Sequence, residues 1–364
     1  MSTPVDELVA ISRRYGSDPA FVLAGGGNTS FKTDDRLFVK ASGHALATIG
    51  ADGFVELDRD RLAELLDADL PDEPKAREAA FVERVMAARV YPDKGQRPSV
   101  EALLHHLMPQ PFVVHTHATK VNAVTCCVRG EAITQDLFGS RVVWQPYVDP
   151  GFILAGALRT SLAKQPGADA IFLENHGLIV AGDSASSIDR ITRDVIAPLD
   201  DLLPTPDKPA QLDAAKLIDS AKAAEAFDPA FRVVTDASPP IARVVTNPRL
   251  TEAALAGALT PDHIVYCRAV PMWLEVPDDF AKAHADYVAR TGFEPWAALV
   301  AGAGLVAFRE TDKLATTTRD LWLDAAAILH DADALGGVRH MSDAHRRFIE
   351  TWEVESYRRS VAAG

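Results

Sequence analysis

A strand that ends in two histidines constrains this chain more than any other feature. Residues 113–118 read Val-Val-His-Thr-His-Ala, an apolar run that closes on His115 and His117. Successive side chains of a strand point to opposite faces, so these two imidazoles lie on one face, close enough to share a small cation. The same spacing also arises when two unrelated polar residues end a strand, so the pair alone leaves both interpretations open.

A third histidine stands in a polar turn between two other apolar runs. Residues 171–180 read Ile-Phe-Leu-Glu-Asn-His-Gly-Leu-Ile-Val and contain His176. The pattern predicts two strands joined by a short loop, with the histidine where the first strand ends. Three neutral imidazoles leave a fourth position open on a metal ion, the arrangement of catalytic zinc sites. The best third ligand for a metal at His115 and His117 is therefore His176.

Two titratable residues lie just before the histidine strand. A helix is predicted over 99–108 with Ser99 as its N-cap, which puts Glu101 in the first turn and His105 one turn later on the same face. A carboxylate in the first turn often interacts only with the helix dipole. A histidine in the position of His105 is more commonly a core residue, or a residue that hydrogen-bonds to a metal ligand, than a metal ligand itself. Structural and chemical roles both remain open here.

Glycine-rich turns offer sites for an anion. Residues 25–30 read Gly-Gly-Gly-Asn-Thr-Ser, where backbone N–H groups are accessible and Asn28 and Ser30 add side-chain donors. The run matches neither the P-loop nor the dinucleotide-binding motif, so a simple hairpin explains it equally well. Residues 41–44, after Lys40, form a weaker version. The later run 301–305, Ala-Gly-Ala-Gly-Leu, is better explained as a tight hairpin.

Composition limits the remaining classes of protein. The 364 residues, 48% hydrophobic, suffice for two domains, and no run approaches the roughly eighteen apolar residues that span a bilayer. The N-terminus lacks the regions of a signal peptide, so we expect a cytoplasmic protein without a membrane partner. A net charge of −14 without a basic stripe disfavours nucleic acid. Cys126, Cys127 and Cys267 are expected to be buried thiols.

Hydrophobic periodicity predicts the elements of the first two hundred residues. We expect helices at 3–16, 59–69, 74–90, 99–108, 117–127, 152–164 and 184–202. Besides the histidine-bearing regions, we expect strands at 21–24, 36–43 and 141–144, the first two joined by the glycine-rich turn.

A proline-rich linker at 203–210 marks the predicted domain boundary. Beyond it, predicted helices alternate with short apolar runs, which indicates a second α/β unit. The helices are expected at 211–225, 251–258, 312–332 and 340–360, and the apolar runs lie at 243–245, 264–267 and 297–300. No internal repeat is visible. We therefore predict one domain at 1–203 and another at 211–364.

Five short motifs, taken in order, resemble the class II aldolase/adducin family. They are Gly27-Asn28-Thr29-Ser30, Ala41-Ser42-Gly43, Pro98-Ser99-Val100-Glu101, His115-Thr116-His117 and Asn175-His176-Gly177. The resemblance spans about residues 5 to 202. It is closest to the aldolase part of bifunctional rhamnulose-1-phosphate aldolase/alcohol dehydrogenases, and a separate dehydrogenase then becomes a candidate partner.

The resemblance also implies roles for residues. Zinc, one ion per subunit, would be held by His115, His117 and His176, with Glu101 as the catalytic carboxylate. The substrate phosphate would be bound by Gly27, Asn28, Ser30, Ser42, Gly43 and Ser99. Val100 stands where the family usually has a second serine, which removes one hydroxyl donor. The implied reaction is cleavage of a ketose 1-phosphate to dihydroxyacetone phosphate and an aldehyde through an enediolate.

The implied fold is a three-layer α/β/α domain around a largely antiparallel sheet, followed by a smaller C-terminal α/β extension of unknown role. Family members usually form homotetramers with sites near subunit interfaces, so we expect a homo-oligomer. Two other enzymatic reactions use such a site, sugar-phosphate 4-epimerisation and decarboxylation of a sugar-acid phosphate. An adducin-like scaffold that binds partners without catalysis is the alternative of another class.

Overall fold

The computed structural model describes residues 3–205 and 208–352. Its helices are α1 (Pro4–Gly16), α2 (Arg59–Leu66), α3 (Pro74–Ala87), α4 (Ala102–Leu107), α5 (Thr119–Thr125), α6 (Gly130–Phe138), α7 (Phe152–Lys164), α8 (Ala185–Leu202), α9 (Ala214–Phe227), α10 (Pro239–Thr246), α11 (Pro248–Ala256), α12 (Pro261–Cys267), α13 (Phe280–Thr291), α14 (Asp312–Ala334) and α15 (Asp343–Thr351). Its strands are β1 (Asn28–Lys32), β2 (Arg36–Lys40), β3 (Phe54–Asp58), β4 (Phe112–Thr116), β5 (Val142–Gln145), β6 (Ala170–Leu173), β7 (Gly177–Gly182), β8 (Arg232–Asp236), β9 (Met272–Leu274), β10 (Ala297–Val300) and β11 (Gly304–Arg309). Two parts of the predictions, 206–207 in the linker and 353–360 in the last helix, lie outside the described residues.

The described chain divides into two compact units. The first comprises 3–121 and 131–201, and the second comprises 122–130, 202–205 and 208–352. Segment 122–130 joins the second unit through backbone hydrogen bonds, such as the one from Arg339 N–H to the Cys126 carbonyl oxygen at 2.7 Å. Each unit has its own β-sheet.

The sheet of the first unit has, within the described residues, seven strands in the order β3-β2-β1-β4-β7-β6-β5. Neighbouring strands are antiparallel except for the parallel pair β5 and β6. Every residue of β4, β6 and β7 is buried, as expected for strands covered on both faces. The predicted three-layer fold around a largely antiparallel sheet is confirmed.

Strand β1 shows which helices cover each face of this sheet. The Thr29 hydroxyl lies 2.6 Å from the Ser12 hydroxyl of α1, and the next residue, Ser30, lies 2.7 Å from His105 Nδ1 of α4. Side chains alternate between the faces of a strand, so α1 and α4 lie on opposite sides. Residues of α2, α3 and α7 share one apolar cluster with α4 and the strands β2 and β3.

The first hairpin differs from the prediction. Its strands are β1 and β2, its turn is 33–35, and the predicted strand 21–24 is irregular. The glycine-rich run leads into β1 instead, where Gly27 has φ +67° and a Cβ atom would lie 2.8 Å from the His115 carbonyl oxygen. The chain therefore enters β1 too close to β4 for any side chain at this position.

The sheet of the second unit has four strands among the described residues, in the order β8-β11-β10-β9. The predicted apolar run 297–300 forms β10, and the predicted tight hairpin follows it. The runs 243–245 and 264–267 lie in α10 and α12, so reading them as strands is wrong. A short apolar run cannot distinguish a strand from a buried helix by periodicity alone, and Pro239 and Pro261 mark these helix starts.

The two sheets share a strand arrangement that the sequence does not reveal. β8-β11-β10-β9 repeats β4-β7-β6-β5 in order and direction, including the one parallel pair. The hairpin glycines also correspond: a Cβ atom at Gly177 would lie 2.4 Å from the Thr116 carbonyl oxygen, and one at Gly304 would lie 2.5 Å from the Asp236 carbonyl oxygen. The repeat therefore lies in the strand arrangement, and no repeat is visible in the sequence.

The remaining expectations from composition concern cysteines and membranes. Cys126, Cys127 and Cys267 are buried thiols, as predicted. Cys267 Sγ lies 3.5 Å from the Thr318 carbonyl oxygen, and burial raises its pKa well above the usual value. In the part of the chain that the structure describes, no helix is long and apolar enough to cross a membrane.

Glu78 of α3 is a buried carboxyl group away from the histidines. It is 8% exposed, and its Oε2 has no hydrogen-bond partner. Gly151, which precedes α7, has φ +97°, and a Cβ atom there would lie 3.2 Å from Glu78 Oε2, so the backbone closes over the carboxyl group. Burial raises the pKa of Glu78 to about 7, although Arg77 opposes the rise and Asp149 adds to it.

This burial predicts a pH-dependent stability. Because the folded-state pKa is raised, Glu78 contributes stability below its ordinary pKa of 4.5 that is lost as the pH rises through about 7. Glu78→Gln, which stays neutral, should therefore gain about 1–3 kcal/mol over wild type between pH 5 and pH 8 in denaturant unfolding. Glu83→Gln, an exposed glutamate on the same helix, is the control. A stability difference that does not change with pH would contradict this account.

Candidate metal centre

Three histidine side chains converge at one end of β4. The ligand atoms of His115, His117 and His176 all lie within 4.8 Å of one another, and His115 Nε2 is 3.2 Å from His117 Nε2. Nitrogen ligands held about 2.0–2.1 Å from a tetrahedral zinc ion lie roughly 3.3 Å apart. The donor set and its spacing therefore fit the ion that the sequence predicts.

Backbone geometry brings the third histidine to the other two. His115 lies in β4, and His117, just after it, is fixed by a hydrogen bond from its N–H to the Phe21 carbonyl oxygen at 3.0 Å. The hairpin between β6 and β7 turns through Asn175, which has φ +51°. Gly177 follows with its Cα against β4, where any Cβ atom would clash. The turn thus presses His176 against the end of the histidine strand.

The protonation of His115 follows from its surroundings. Its side chain is fully buried, and Nδ1 lies 3.0 Å from the Leu178 carbonyl oxygen. A carbonyl oxygen only accepts hydrogen bonds, so Nδ1 carries the proton and donates it. Nε2, which faces His117, is then the atom with the lone pair for a metal.

Glu101 lies beside this cluster. Its carboxylate is buried, with Oε1 3.7 Å from His115 Nε2 and 3.6 Å from His176 Nε2. Oε1 has no hydrogen-bond partner, whereas Oε2 accepts a hydrogen bond from Asn28 Nδ2 at 2.5 Å. One carboxylate oxygen is therefore held in place, and the other points at the imidazoles.

Charge keeps Glu101 ionised in spite of its burial. Burial alone would raise its pKa, but the positive charge that His115 and His176 carry when protonated, together with the hydrogen bond from Asn28, outweighs that effect and lowers the pKa to about 2. A metal cation held by the neutral imidazoles would act in the same direction. An ionised, partly unpartnered carboxylate next to a cluster of metal-binding nitrogens can accept a proton from a bound substrate.

The helix that follows Glu101 begins later than predicted. Glu101 itself is the N-cap residue of α4, and Ser99 lies outside the helix, where its hydroxyl accepts a hydrogen bond from Glu101 N–H at 3.2 Å. Ser99 is thus not the N-cap, because the chain is still extended at Pro98, which forms a bridge with Ala41. That bridge places the segment containing Ser99 beside the segment containing Ser42.

The residues predicted to bind phosphate fall into two groups. Ser42 and Ser99 lie on adjacent segments, since Ser42 N–H donates to the Arg97 carbonyl oxygen at 2.8 Å and Ser99 N–H donates to the Lys40 carbonyl oxygen at 3.0 Å. Gly43, with φ +90°, is exposed next to them. Gly27 is tied to the same region by Lys40 Nζ, which donates to its carbonyl oxygen at 3.0 Å.

Asn28 and Ser30 point elsewhere. Asn28 is bonded to Glu101, and Ser30 is fully buried with its hydroxyl against His105. Sequence reasoning placed both in the anion-binding turn and missed their contacts with α4. The alternation of strand side chains could have placed Asn28, Ser30 and Lys32 on one face of β1, but it does not indicate that α4 packs against that face.

Two family models match this chain. The class II aldolase and adducin N-terminal domain matches residues 6–188, and the second domain of class II aldolases matches residues 211–358. The chain belongs to the class II aldolase and adducin family. The family resemblance drawn from the five motifs is therefore confirmed.

The individual relatives share limited sequence identity with this chain. A Bacillus subtilis protein named uncharacterized oxidoreductase YuxG is 26% identical over 410 residues, and the match covers 98% of this chain but 58% of that protein. The N-terminal class II aldolase domain of a conserved Thermoplasma acidophilum protein is 33% identical, covers 55% of this chain and 94% of its own, and has a TM-score of 0.49. L-Fuculose-1-phosphate aldolase from Thermus thermophilus is 18% identical, covering 54% and 92% of the two chains, with a TM-score of 0.36.

The cluster predicts which histidines determine metal content. His117→Ala removes one of three converging nitrogens, and we expect the purified variant to lose most of its bound metal, measured by inductively coupled plasma mass spectrometry. His106→Ala is the control, because this half-buried histidine contacts Arg59 instead of the cluster. Full metal occupancy in the His117 variant would exclude this residue as a ligand.

Proposed function

We propose that this protein is a zinc-dependent aldolase, a carbon–carbon lyase that cleaves a ketose 1-phosphate resembling rhamnulose 1-phosphate into dihydroxyacetone phosphate and an aldehyde. The observation that carries the proposal is the position of Glu101, whose Oε1 lies 3.7 Å from His115 Nε2 and 3.6 Å from His176 Nε2. Membership of the class II aldolase and adducin family supports the reaction class.

The three histidines would hold the metal through their ring nitrogens. A bound zinc ion supplies Lewis-acid stabilisation of the negative charge that develops on substrate oxygens. His115 is kept in the required tautomer by the Leu178 carbonyl oxygen, so its Nε2 needs no rearrangement before binding. Three protein ligands leave room for substrate oxygens.

Glu101 would move the proton. In the condensation direction, the ionised Oε1 takes a proton from the carbon of dihydroxyacetone phosphate that forms the new bond. In cleavage, the C4 hydroxyl would lose its proton to solvent as C4 becomes the aldehyde carbonyl, and the electron pair of the broken C3–C4 bond would remain on the dihydroxyacetone phosphate fragment. Glu101, after taking a proton from solvent, would deliver it to C3. A carboxylate that is partly desolvated and hydrogen-bonded at one oxygen suits both directions.

The loops around Ser42 and Ser99 would hold the phosphate. Their paired backbones bring the two hydroxyl groups and Gly43 into one neighbourhood, and backbone N–H groups next to a glycine favour an anion. Val100, where the family usually has a second serine, removes one donor. Unphosphorylated ketoses therefore belong among the substrates to be tested.

The proposal is tested by incubating zinc-loaded protein with a series of ketose 1-phosphates and the corresponding free sugars. We expect a triose phosphate to appear, detected by reduction with glycerol-3-phosphate dehydrogenase. Conversion of a pentulose phosphate to its epimer without triose phosphate would assign an epimerase, and release of carbon dioxide from a sugar-acid phosphate would assign a decarboxylase. A purified protein that takes up no metal would favour the non-catalytic scaffold.

Replacing the carboxylate separates chemistry from metal binding. We expect Glu101→Gln to keep its zinc, because the histidines are untouched, and to lose at least about 100-fold in kcat, since an amide cannot take the proton. The measurements are metal content and the triose phosphate assay. Glu83→Gln, exposed and on α3, should match wild type. Wild-type turnover in the Glu101 variant would remove this residue from the mechanism.

The Bacillus subtilis relative is longer than this chain, and its name suggests a partner enzyme. This chain spans 58% of the length of the Bacillus subtilis protein, which is named an oxidoreductase. We propose that a separate dehydrogenase consumes the aldehyde product of this chain. We also propose a homo-oligomer, such as a tetramer, in the cytoplasm; light scattering of the purified protein measures its mass directly.

A further inference from the structure

Alternate residues of β1 form a buried polar row that faces α4. Asn28, Ser30 and Lys32 are 6%, 0% and 4% exposed. Asn28 Nδ2 donates to Glu101 Oε2 at 2.5 Å, the Ser30 hydroxyl lies 2.7 Å from His105 Nδ1, and Lys32 Nζ donates to the His105 carbonyl oxygen at 2.9 Å. Fully hydrogen-bonded polar groups in a protein interior specify a single arrangement.

His105 connects this row to the carboxylate. Its ring is fully buried, and Nε2 forms a hydrogen bond with Asn28 Oδ1 while Nδ1 contacts Ser30. Both ring nitrogens are therefore used inside the protein. His105 also lies outside the histidine cluster that fits a metal, so its role must be sought in the hydrogen bonds.

The direction of each hydrogen bond follows from what the atoms can do. The Asn28 NH2 group donates to Glu101 Oε2, so the amide oxygen of Asn28 lies on the side away from the carboxylate. The amide oxygen then faces His105 and only accepts, which places the His105 proton on Nε2. Nδ1 is left to accept from the Ser30 hydroxyl. Burial lowers the pKa of His105 to about 3, against the opposing effect of Glu101, so the ring stays neutral in this tautomer.

We propose that His105 is a positioning residue, which fixes the Asn28 amide so that Asn28 holds Oε2 of Glu101 and leaves Oε1 facing the histidines. The inference rests on the proposed function, in which Glu101 transfers the proton. Without the Nε2 donor, the Asn28 amide can rotate and turn its oxygen toward the carboxylate, where two acceptors repel each other.

Three variants of the full-length, metal-loaded protein separate positioning from packing. His105→Leu removes both ring hydrogen bonds, whereas His105→Gln keeps an N–H donor that can reach Asn28. We expect the leucine variant to keep its metal and to lose about 10- to 100-fold in kcat with little change in KM, and the glutamine variant to recover most of that loss. His106→Leu, next in the chain but bonded to Arg59, should resemble wild type.

A second measurement does not depend on activity. Nitrogen-15 spectra of histidine-labelled protein, with His105→Gln used for assignment, should show His105 protonated at Nε2 and unprotonated at Nδ1. Ser30→Ala removes the hydrogen bond to Nδ1 but keeps the one between Nε2 and the Asn28 amide oxygen, so the proton should stay on Nε2 while the ring is held less firmly, with a smaller fall in kcat. If His105→Leu does not fold, the fall in kcat of Ser30→Ala is the kinetic test of the positioning role.

The outcomes distinguish the two proposals. A wild-type protein that shows the expected tautomer but produces no triose phosphate would overturn the proposed function and leave the hydrogen-bond network standing. The opposite tautomer would overturn the network. Wild-type kcat in His105→Leu, or a glutamine variant as slow as the leucine variant, would overturn the positioning role.

Discussion

The pairing of β4 on both of its edges is the interaction on which the site depends. On one side β1 places Asn28 opposite His115, and on the other side β7 places Ile179 opposite the same residue. The first contact brings Asn28, the hydrogen-bond partner of Glu101, to the histidine strand, and the second brings the turn that carries His176. A slip of one residue in either pairing would turn these side chains to the other face of the sheet.

The second unit shows that this framework alone does not make a metal site. Its strands β8, β11, β10 and β9 repeat the arrangement of β4, β7, β6 and β5, yet Ala303 occupies the hairpin position of His176, and Thr235 occupies the strand position of His115. β8 is also the end strand of its sheet, so Thr235 is exposed where His115 is fully buried. The first unit differs in two ways. It has histidines at these two positions, and β1 pairs with β4 on its other edge, where His115 is buried.

Sequence patterns predicted the parts of this structure that depend on neighbouring residues in the chain, such as strand alternation and helix periodicity. The alternation of strand side chains predicted that His115 and His117 share a face, and periodicity predicted α7 at its observed limits, Phe152–Lys164. The family motifs supplied Glu101, which residue types alone left open. The roles of Ser30 and His105 were not predictable, because they depend on how α4 packs across β1, a contact between residues 75 positions apart. The short apolar runs in α10 and α12 could not be assigned to helices from the sequence for a similar reason. A buried helix and a buried strand both require apolar side chains, so the run alone does not distinguish them.

The buried network also explains how so short a helix can hold the carboxylate. Six residues of α4 are too few for a stable isolated helix, so tertiary contacts must fix it. Leu103 and Leu104 anchor it in apolar clusters, and Lys32 binds the carbonyl oxygen of His105. Burying that ammonium group is costly, since burial, together with Arg59, lowers the pKa of Lys32 to about 7. The hydrogen bond from Lys32 and the packing of Leu103 and Leu104 offset this cost, and the residue that they hold in place is His105, next to the Asn28 amide that binds Glu101.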